Sequence, residues 1–380
     1  MCRKEKLMSQ EEAKYGLLGE KLGHSFSPQI HAMLGLKEYG LFAVPKLEFD
    51  AFMERRSFQA MNVTIPYKKA VIPYLASISP QAEAIGSVNT VVKDKNGKLH
   101  GYNTDYFGLA ALARRTGISF AGKKVLVLGS GGTSLTARAV ARDGGAAELV
   151  VISRQGEDNY ENLEKHKDAQ ILINTTPVGM YPKNGEAPLS LANFPVLEGV
   201  LDVIYNPYRT ALIEEAERLR IPCASGLYML VAQAKYAEDL FFGKEIAPDS
   251  IIDEVYAKLL FEQQNLICLS PEDEVRRKET REAAKALAEQ TGKRFCSLDQ
   301  TVEETTGYPI AALLQKFGKV RLFAERQQAA KELGREHGQV ILAEGLEDGC
   351  RDSTWRGMAE PVLAALLQNG EISDPFTKRS

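Results

Sequence analysis

An α/β chain of more than one domain is what this sequence predicts, on three observations. From Tyr15 onward, short apolar runs alternate with stretches of helical periodicity. Residues 123–152 read as strand, glycine-rich turn, helix and strand, which is one βαβ unit. At 380 residues the chain is also longer than one hydrophobic core usually serves, so two or three domains are expected.

Taken in order, residues 1–14 are charged, lack the apolar core of a signal peptide and read as a flexible tail. Tyr15–Gly19 reads as a first strand, Pro28–Leu36 as a helix and Gln59–Ile65 as a strand. Ser87–Val92 reads as another strand, leading into a turn that carries Asn96-Gly97. Lys123–Leu128 (KKVLVL) is a buried strand, Gly129–Ser134 (GSGGTS) the turn, Leu135–Asp143 a helix and Glu148–Ile152 the next strand. Ala169–Asn174 and Val200–Ile204 supply further buried strands, and Leu230–Phe242 and Pro248–Gln264 further helices. The stretch between Arg154 and Ala169 is too short for another helix and strand, so this doubly wound half is expected to be trimmed at one edge. After a strand-like Leu266–Leu269 the chain turns charged and Ala-rich, with helical periodicity over Glu279–Gln290, which places a domain boundary near Gln264.

Composition narrows the function classes. A net charge of −3 offers no global attraction to nucleic acid or to an anionic membrane. The apolar runs are too short to span a bilayer. Cys2, Cys223, Cys268, Cys296 and Cys350 are odd in number and scattered, with no C-x-x-C pair. That pattern argues against a zinc site or a disulfide framework and for a reducing cytoplasm.

A strand, the turn GSGGTS and a helix place backbone N–H groups and a helix N-terminus around an anion. Gly129, Gly131 and Gly132 permit the tight turn, with Ser130 and Thr133 between and after them; Ser134 replaces the third glycine and is small enough for helix–strand packing. The next strand ends at Ser153-Arg154, where NAD-binding folds usually carry a carboxylate for the ribose 2′-OH. A hydroxyl followed by a guanidinium suits a 2′-phosphate instead, which favours NADP.

Three upstream segments hold polar residues where a core would not want them. GHSFSP (residues 23–28) puts Ser25 and Ser27 before a helix, with Ser27 a candidate N-cap. NVTIPYK (62–68) ends a strand with Thr64, Pro66 and Lys68. GYNTDYFG (101–108) offers Asn103, Thr104 and Asp105 before another helix, again candidate caps when taken singly. Together with GSVNTV, GSGGTS, INTTPVGM and GLYMLVAQA, in this order, these segments resemble shikimate dehydrogenase over residues 15–265.

That resemblance implies reduction of 3-dehydroshikimate to shikimate with NADP(H), Lys68 and Asp105 being the catalytic pair. It implies Ser25, Ser27, Thr64, Asn89, Tyr205 and Gln233 as substrate ligands. Gly129, Ser130, Gly131, Gly132, Thr133, Ser153, Arg154, Asn174, Thr175, Thr176, Val203 and Gly226 would line the cofactor site. It divides the chain into a substrate domain (15–103, with returning helices 236–265) and a Rossmann-type NADP domain (104–235). No metal is required, and a homodimer is the candidate assembly. The residue types suit the chemistry: hydride addition to a ketone leaves an alkoxide, which needs a nearby cation or proton donor. A carboxylate beside a lysine favours the ammonium form and can orient it.

The family often carries a further basic residue after its arginine, whereas Glu157 and Asp158 stand here. An NAD-tolerant quinate/shikimate dehydrogenase is therefore the alternative enzyme, and a non-catalytic shikimate-binding pseudoenzyme the alternative class. Residues 266–380 show a fainter resemblance to shikimate kinase, through Leu266–Leu269, ALAEQTG (286–292), the segment 295–318 and QVILAEG (339–345). A P-loop needs glycines to cradle phosphate. Here the turn reads SPEDEVRRKET, with Glu272, Asp273 and Glu274 and no glycine, leaving Lys278 and Thr280 without a cradle. Ser297 stands at the first acidic position of D-x-D, leaving Asp299, and the glycine cluster is reduced to Gly345. The resemblance thus implies a degenerate P-loop-kinase-like α/β domain, structural or regulatory; residual shikimate kinase activity is its alternative.

Overall fold

A computed structural model describes residues 13–22, 25–181, 183, 185–263, 265–269, 274–334, 336, 338–344, 362–368 and 371–373. Of the tail expected over residues 1–14, residues 1–12 lie outside the described residues, as do Gly23, His24, Glu272, Asp273 and Gly345. Ala13 is buried and the Lys14 carbonyl accepts from the Gln59 N–H at 2.7 Å, so the fold begins there rather than at Tyr15. Two compact units emerge: one from residues 1–205 and 215–256, the other from 206–214 and 257–380.

The first unit opens with β1 (Tyr15–Gly19), α1 (Ser27–Leu34), β2 (Tyr39–Ala43), α2 (Phe49–Arg55) and β3 (Ala60–Val63). There follow β4 (Ser77–Ile78), α3 (Pro80–Ile85), β5 (Thr90–Lys93) and β6 (Leu99–Tyr102). These strands form one sheet in the order β2-β1-β3-β5-β6-β4. β1 runs parallel to both β2 and β3, whereas β5 is antiparallel to β3 and β6. Its core includes Leu18, Met53, Met61 and Val91, each fully buried. The helices carry ordinary punctuation: Ser79 accepts the Ala82 N–H at the start of α3, and Gly86 closes it in the left-handed region.

α4 (Thr104–Thr116) then leads to β7 (Lys124–Leu128), α5 (Gly132–Asp143), β8 (Glu148–Ile152), β9 (Ile171–Asn174) and β10 (Gly199–Asp202). α6 (Ala211–Arg218), β11 (Cys223–Ala224), α7 (Leu227–Phe242) and α8 (Ser250–Gln263) complete this stretch. The second sheet has the order β11-β10-β9-β7-β8 and is parallel throughout. Val125, Leu126, Val127 and Leu128 are all buried, as continuous apolar strands in a two-faced parallel sheet should be. Between β8 and β9 stands a single 3-10 turn, Leu163–His166, and among the described residues no further strand extends the sheet beyond β8.

The second unit contains β12 (Asn265–Leu269), α9 (Glu274–Thr291), β13 (Arg294–Ser297), α10 (Leu298–Thr306) and α11 (Ile310–Leu333). β14 (Gln339–Ala343), β15 (Val362–Gln368) and β16 (Glu371–Ser373) follow. The sheet order is β13-β14-β12-β15-β16, parallel except for the last pair. Helix α11 is broken at Gly318, whose φ of 80° is left-handed.

Several expectations shift. Ser27 does not cap α1; it is the first helical residue, Phe26 holds the cap position without a side-chain bond, and the helix ends at Leu34 because Gly35 turns left-handed. The strands expected over 59–65 and 87–92 are shorter, at 60–63 and 90–93, since their ends turn aside into loops that carry polar residues. The turn expected over SPEDEVRRKET is not what the described part of that stretch forms. From Glu274 it is helix, so Lys278 and Thr280 sit on α9.

A buried lysine ties the second unit together. Lys293 Nζ donates to the carbonyls of Phe261 and Glu262 at 2.6 and 2.8 Å, satisfying the C-terminal end of α8. Burial pushes its ammonium down to about 8, opposed by Glu262. The unfolded chain, with an ordinary lysine, holds this proton to higher pH. Unfolding is therefore disfavoured increasingly as pH rises from about 8 toward 10.5. Urea titrations of wild type and Lys293→Met should diverge over that window by about 1–2 kcal/mol. A flat difference would remove the linkage.

Candidate active site

Lys68 leaves the first sheet just after β3, in a turn closed by the Tyr67 N–H donating to the Thr64 carbonyl at 2.9 Å. The buried Tyr67 ring anchors this turn through its hydroxyl, which donates to the Val44 carbonyl at 2.6 Å. The Lys68 carbonyl accepts from the Val88 N–H at 2.8 Å, so its backbone is fixed on both sides. Asp105 lies in the first turn of α4, where Asn103 caps the helix by accepting from the Tyr106 N–H. The positive end of the helix favours a carboxylate there. Lys68 Nζ meets Asp105 Oδ2 at 2.5 Å, with side chains 21% and 14% exposed. The pair is thus partly desolvated yet open to a small molecule, where a fixed charge acts more strongly than in water.

Around it the sheet gathers polar side chains. Asn89 is 3% exposed, and its Oδ1 accepts from the Thr104 N–H at 2.6 Å and from Thr90 Oγ1 at 2.9 Å. Because a backbone donor fixes the oxygen, the amide orientation is set, and Nδ2 takes part in none of these bonds. Gln233 on α7 donates through Nε2 to the Leu230 carbonyl, while its Oε1 accepts from Thr104 Oγ1 at 3.4 Å. Ser25 Oγ donates to Ser27 Oγ at 3.1 Å and accepts the Ser27 N–H at 3.2 Å. Tyr205 packs edge-on against Phe26, and burial raises its hydroxyl above the ordinary tyrosine range. Thr64 is half-buried at the head of the Lys68 turn.

The glycine turn opens a separate cleft of about 480 Å³, lined by Gly129, Ser130, Gly131, Ser153, Arg154, Tyr160, Thr175, Thr176, Pro177, Val178, Ala187 and Pro188. Gly129 has a φ of 99°, and a Cβ there would crowd Thr175 and Thr176 at about 3 Å, so only glycine fits. At Gly131 and Gly132 a Cβ would point into open space, which leaves backbone N–H groups accessible at the start of α5. Ser134 is buried, as expected of a packing residue. The chain therefore fits a dinucleotide: an open glycine turn, a helix N-terminus and one guanidinium at the end of the next strand. Arg154 is the only charged side chain among the described residues lining the cleft.

Not every anticipated cofactor residue lines this cleft. Gly132 and Thr133 belong to the first turn of α5. Asn174 is fully buried; its Nδ2 donates to Asp202 Oδ1 at 3.0 Å and its Oδ1 accepts the Thr176 N–H, so it shapes the loop from behind. Gly226 lies against Val203, where a Cβ would fall 2.1 Å from the Val203 carbonyl oxygen. Glu157 and Asp158 are absent from the lining. Asp158 Oδ1 instead meets His166 Nε2 at 2.9 Å, and its carbonyl accepts the Ser153 N–H.

Sequence reasoning missed Tyr160, Pro177, Val178, Ala187 and Pro188 in the cleft, and the buried polar residues His31, Asn62, Thr90 and Glu238 beneath the first sheet. Pro177 and Val178 lie inside the INTTPVGM segment and were within reach. Tyr160 comes from an irregular loop, ordered by Asn159 and Asn162, that no periodicity announces. Among the described residues there is no cluster of metal-ligating side chains, and no helix is long and apolar enough to cross a membrane.

A family model described as shikimate dehydrogenase substrate binding domain matches residues 17–91. A shikimate dehydrogenase (NADP(+)) of Clostridium perfringens is 35% identical over 268 residues, covering 64% of this chain and 97% of that protein. Shikimate dehydrogenase 1 from Peptoclostridium difficile matches in structure with a TM-score of 0.59 at 36% identity, covering 64% of this chain and 97% of the other. Shikimate 5-dehydrogenase from Thermus thermophilus, solved with NADP(H) and shikimate, matches with a TM-score of 0.58 at 30% identity, covering 65% and 99%.

Proposed function

The chain belongs to the shikimate dehydrogenase family, and on that premise we infer that it is an NADP-linked oxidoreductase interconverting 3-dehydroshikimate and shikimate. The observation that carries the chemistry is the Lys68–Asp105 pair, a partly buried cation held by a carboxylate. When bound, NADP(H) supplies or accepts the hydride. Lys68 Nζ holds the carbonyl oxygen and stabilises the charge that develops there, giving a proton as the alcohol forms. Asp105 fixes the ammonium and accepts a substrate hydroxyl; in the oxidative direction the same pair takes the hydroxyl proton. Ser25, Ser27, Thr64, Asn89, Tyr205 and Gln233 hold the substrate's carboxylate and hydroxyls. Asn89 is the best supported of these, its amide nitrogen being uncommitted in a fixed orientation.

For the cofactor, Gly129–Thr133 would cradle the pyrophosphate with backbone N–H groups and Ser153-Arg154 would take the 2′-phosphate, Thr175 and Thr176 lining the same cleft. Asn174, Val203 and Gly226 act from behind, by setting the loops. The substrate domain is residues 15–103 with 236–265, and the NADP domain 104–235. The purified protein should oxidise shikimate in a spectrophotometric assay, faster with NADP⁺ than with NAD⁺. No turnover with either cofactor, in a folded sample, would leave only a shikimate-binding role.

Residues 266–380 form a kinase-like domain without kinase chemistry. Support comes from a parallel sheet whose first strand, β12, lies between β14 and β15. In such sheets ligands bind beyond the carboxyl ends of the strands. Among the described residues, the ends of β13 and β14 carry a self-satisfied polar group. Glu344 accepts from Ser297 Oγ at 2.9 Å and from Arg281 at 2.8 Å, and Arg326 grips Asp299 through two bonds of 2.7 and 2.9 Å. ATP with magnesium, titrated into the full chain saturated with NADP⁺, should give no saturable heat. Saturable binding would restore a nucleotide site.

A further inference from the structure

Beneath the first sheet runs a chain of buried hydrogen bonds. It starts at Glu238 on α7, whose Oε1 lies 2.7 Å from His31 Nδ1 on α1. His31 Nε2 lies 3.2 Å from Asn62 Oδ1 on β3, and the Tyr39 hydroxyl donates to that same oxygen at 2.7 Å. Asn62 Nδ2 donates to Thr90 Oγ1 at 3.2 Å, which donates to Asn89 Oδ1 at 2.9 Å. Glu238 and His31 are 1% and 0% exposed, and Asn62, Thr90 and Asn89 are also buried, so each bond left unmade would carry a full desolvation cost.

Counting protons along this chain fixes its polarity. The Thr104 N–H can only donate, so Asn89 presents its oxygen, and Thr90 supplies a second hydrogen to it. Thr90 then accepts from Asn62 Nδ2, and Asn62 Oδ1 faces Tyr39 and His31. Flipping the Asn62 amide would leave the buried Tyr39 proton without an acceptor. Burial, with Glu238 adding in the same direction, holds that phenol in its protonated form. His31 Nε2 must therefore carry a hydrogen as well. A bare Nδ1 against a carboxylate oxygen at 2.7 Å would set two lone pairs face to face, so the His31–Glu238 contact also holds a proton. The imidazole stacks flat on Tyr39, 3.9 Å between ring centres at 13°, which fixes the plane in which it donates.

We propose that His31 and Glu238 form a positioning pair, which locks Asn62 and, through Thr90, adds to the Thr104 N–H in holding the Asn89 oxygen, so that the Asn89 amide nitrogen is kept in place and free for the substrate. This rests on the reading of Asn89 as a substrate ligand. Neither residue of the pair touches the reacting atoms; their effect falls on recognition.

The test uses the full-length protein. In the double variant His31→Phe/Glu238→Gln, which leaves no unpaired buried charge, KM for shikimate should rise about tenfold, while kcat and KM for NADP⁺ stay within about twofold. In Glu238→Gln alone the new amide can donate to Nδ1 and keep the Nε2 hydrogen in place, so KM for shikimate should rise less than about threefold. Long-range nitrogen–proton NMR on histidine-labelled wild type should show His31 protonated at Nε2. The proposal is overturned if a folded double variant keeps its KM, if kcat falls while both KM values rise together, or if His31 carries hydrogen at Nδ1 alone. A wild type inactive on shikimate would instead sink the dehydrogenase reading, and the NMR result would still decide the tautomer.

Discussion

Replacing Lys68 with alanine is expected to lower kcat by roughly three orders of magnitude while KM for NADP⁺ changes less than about threefold. The size follows from what one side chain does twice. On the proposed reading its ammonium both stabilises the charge that develops on the carbonyl oxygen and supplies the proton to it. Either function alone is worth roughly a hundredfold or more, and in a partly desolvated site they combine. Cofactor affinity is spared because the cleft is built from residues 129–188, none of which is Lys68 or Asp105. Removing the lysine also leaves Asp105 without its partner at 2.5 Å, so a modest loss of stability should accompany the loss of turnover. Steady-state kinetics in both directions, with cofactor binding followed by fluorescence, separates the outcomes. A variant that loses NADP⁺ affinity as steeply as kcat would place Lys68 in the cofactor site instead.

Arg154→Ala should weaken kcat/KM for NADP⁺ by about 10- to 100-fold and leave the value for NAD⁺ within about twofold. Arg154 is the only charged residue among the described residues lining the cleft, so on the proposed reading discrimination between the cofactors rests on one guanidinium. Glu157 and Asp158 raised the prospect of repulsion from the 2′-phosphate. The fold turns both out of the cleft lining, and Asp158 is held at His166. Tyr160 also lines the cleft, where burial raises its hydroxyl above the ordinary range while Arg154 opposes the shift. Kinetics on both cofactors decide the matter: equal losses would mean that Arg154 supports the loop rather than reading the phosphate.

Much of the site was legible because its chemistry is local. GSGGTS predicts an anion cradle since backbone N–H groups, a strand end and a helix start are all encoded within a few adjacent residues. The Lys68 and Asp105 segments could be singled out by type, but nothing in their spacing says that a strand-end turn and a helix N-terminus meet. The 2.5 Å contact joins residues on β3's following turn and α4, which only the pairing of β3, β5 and β6 brings together. Short elements such as β2, α2 and β4 escaped notice because they hold too few periodic positions to rise above loop.

The sequence by itself determined the α/β class, the βαβ unit and the family, because each rests on local patterns and on the order in which they follow one another along the chain. Tertiary structure alone decided that Asn174 works from behind the cleft, that the acids after Arg154 leave its lining, and that His31, Asn62 and Glu238 form one buried chain. The physical reason is the same for all three. A buried polar group must find a partner, and that partner is chosen by which strands and helices pack together, across separations such as the 207 residues between His31 and Glu238.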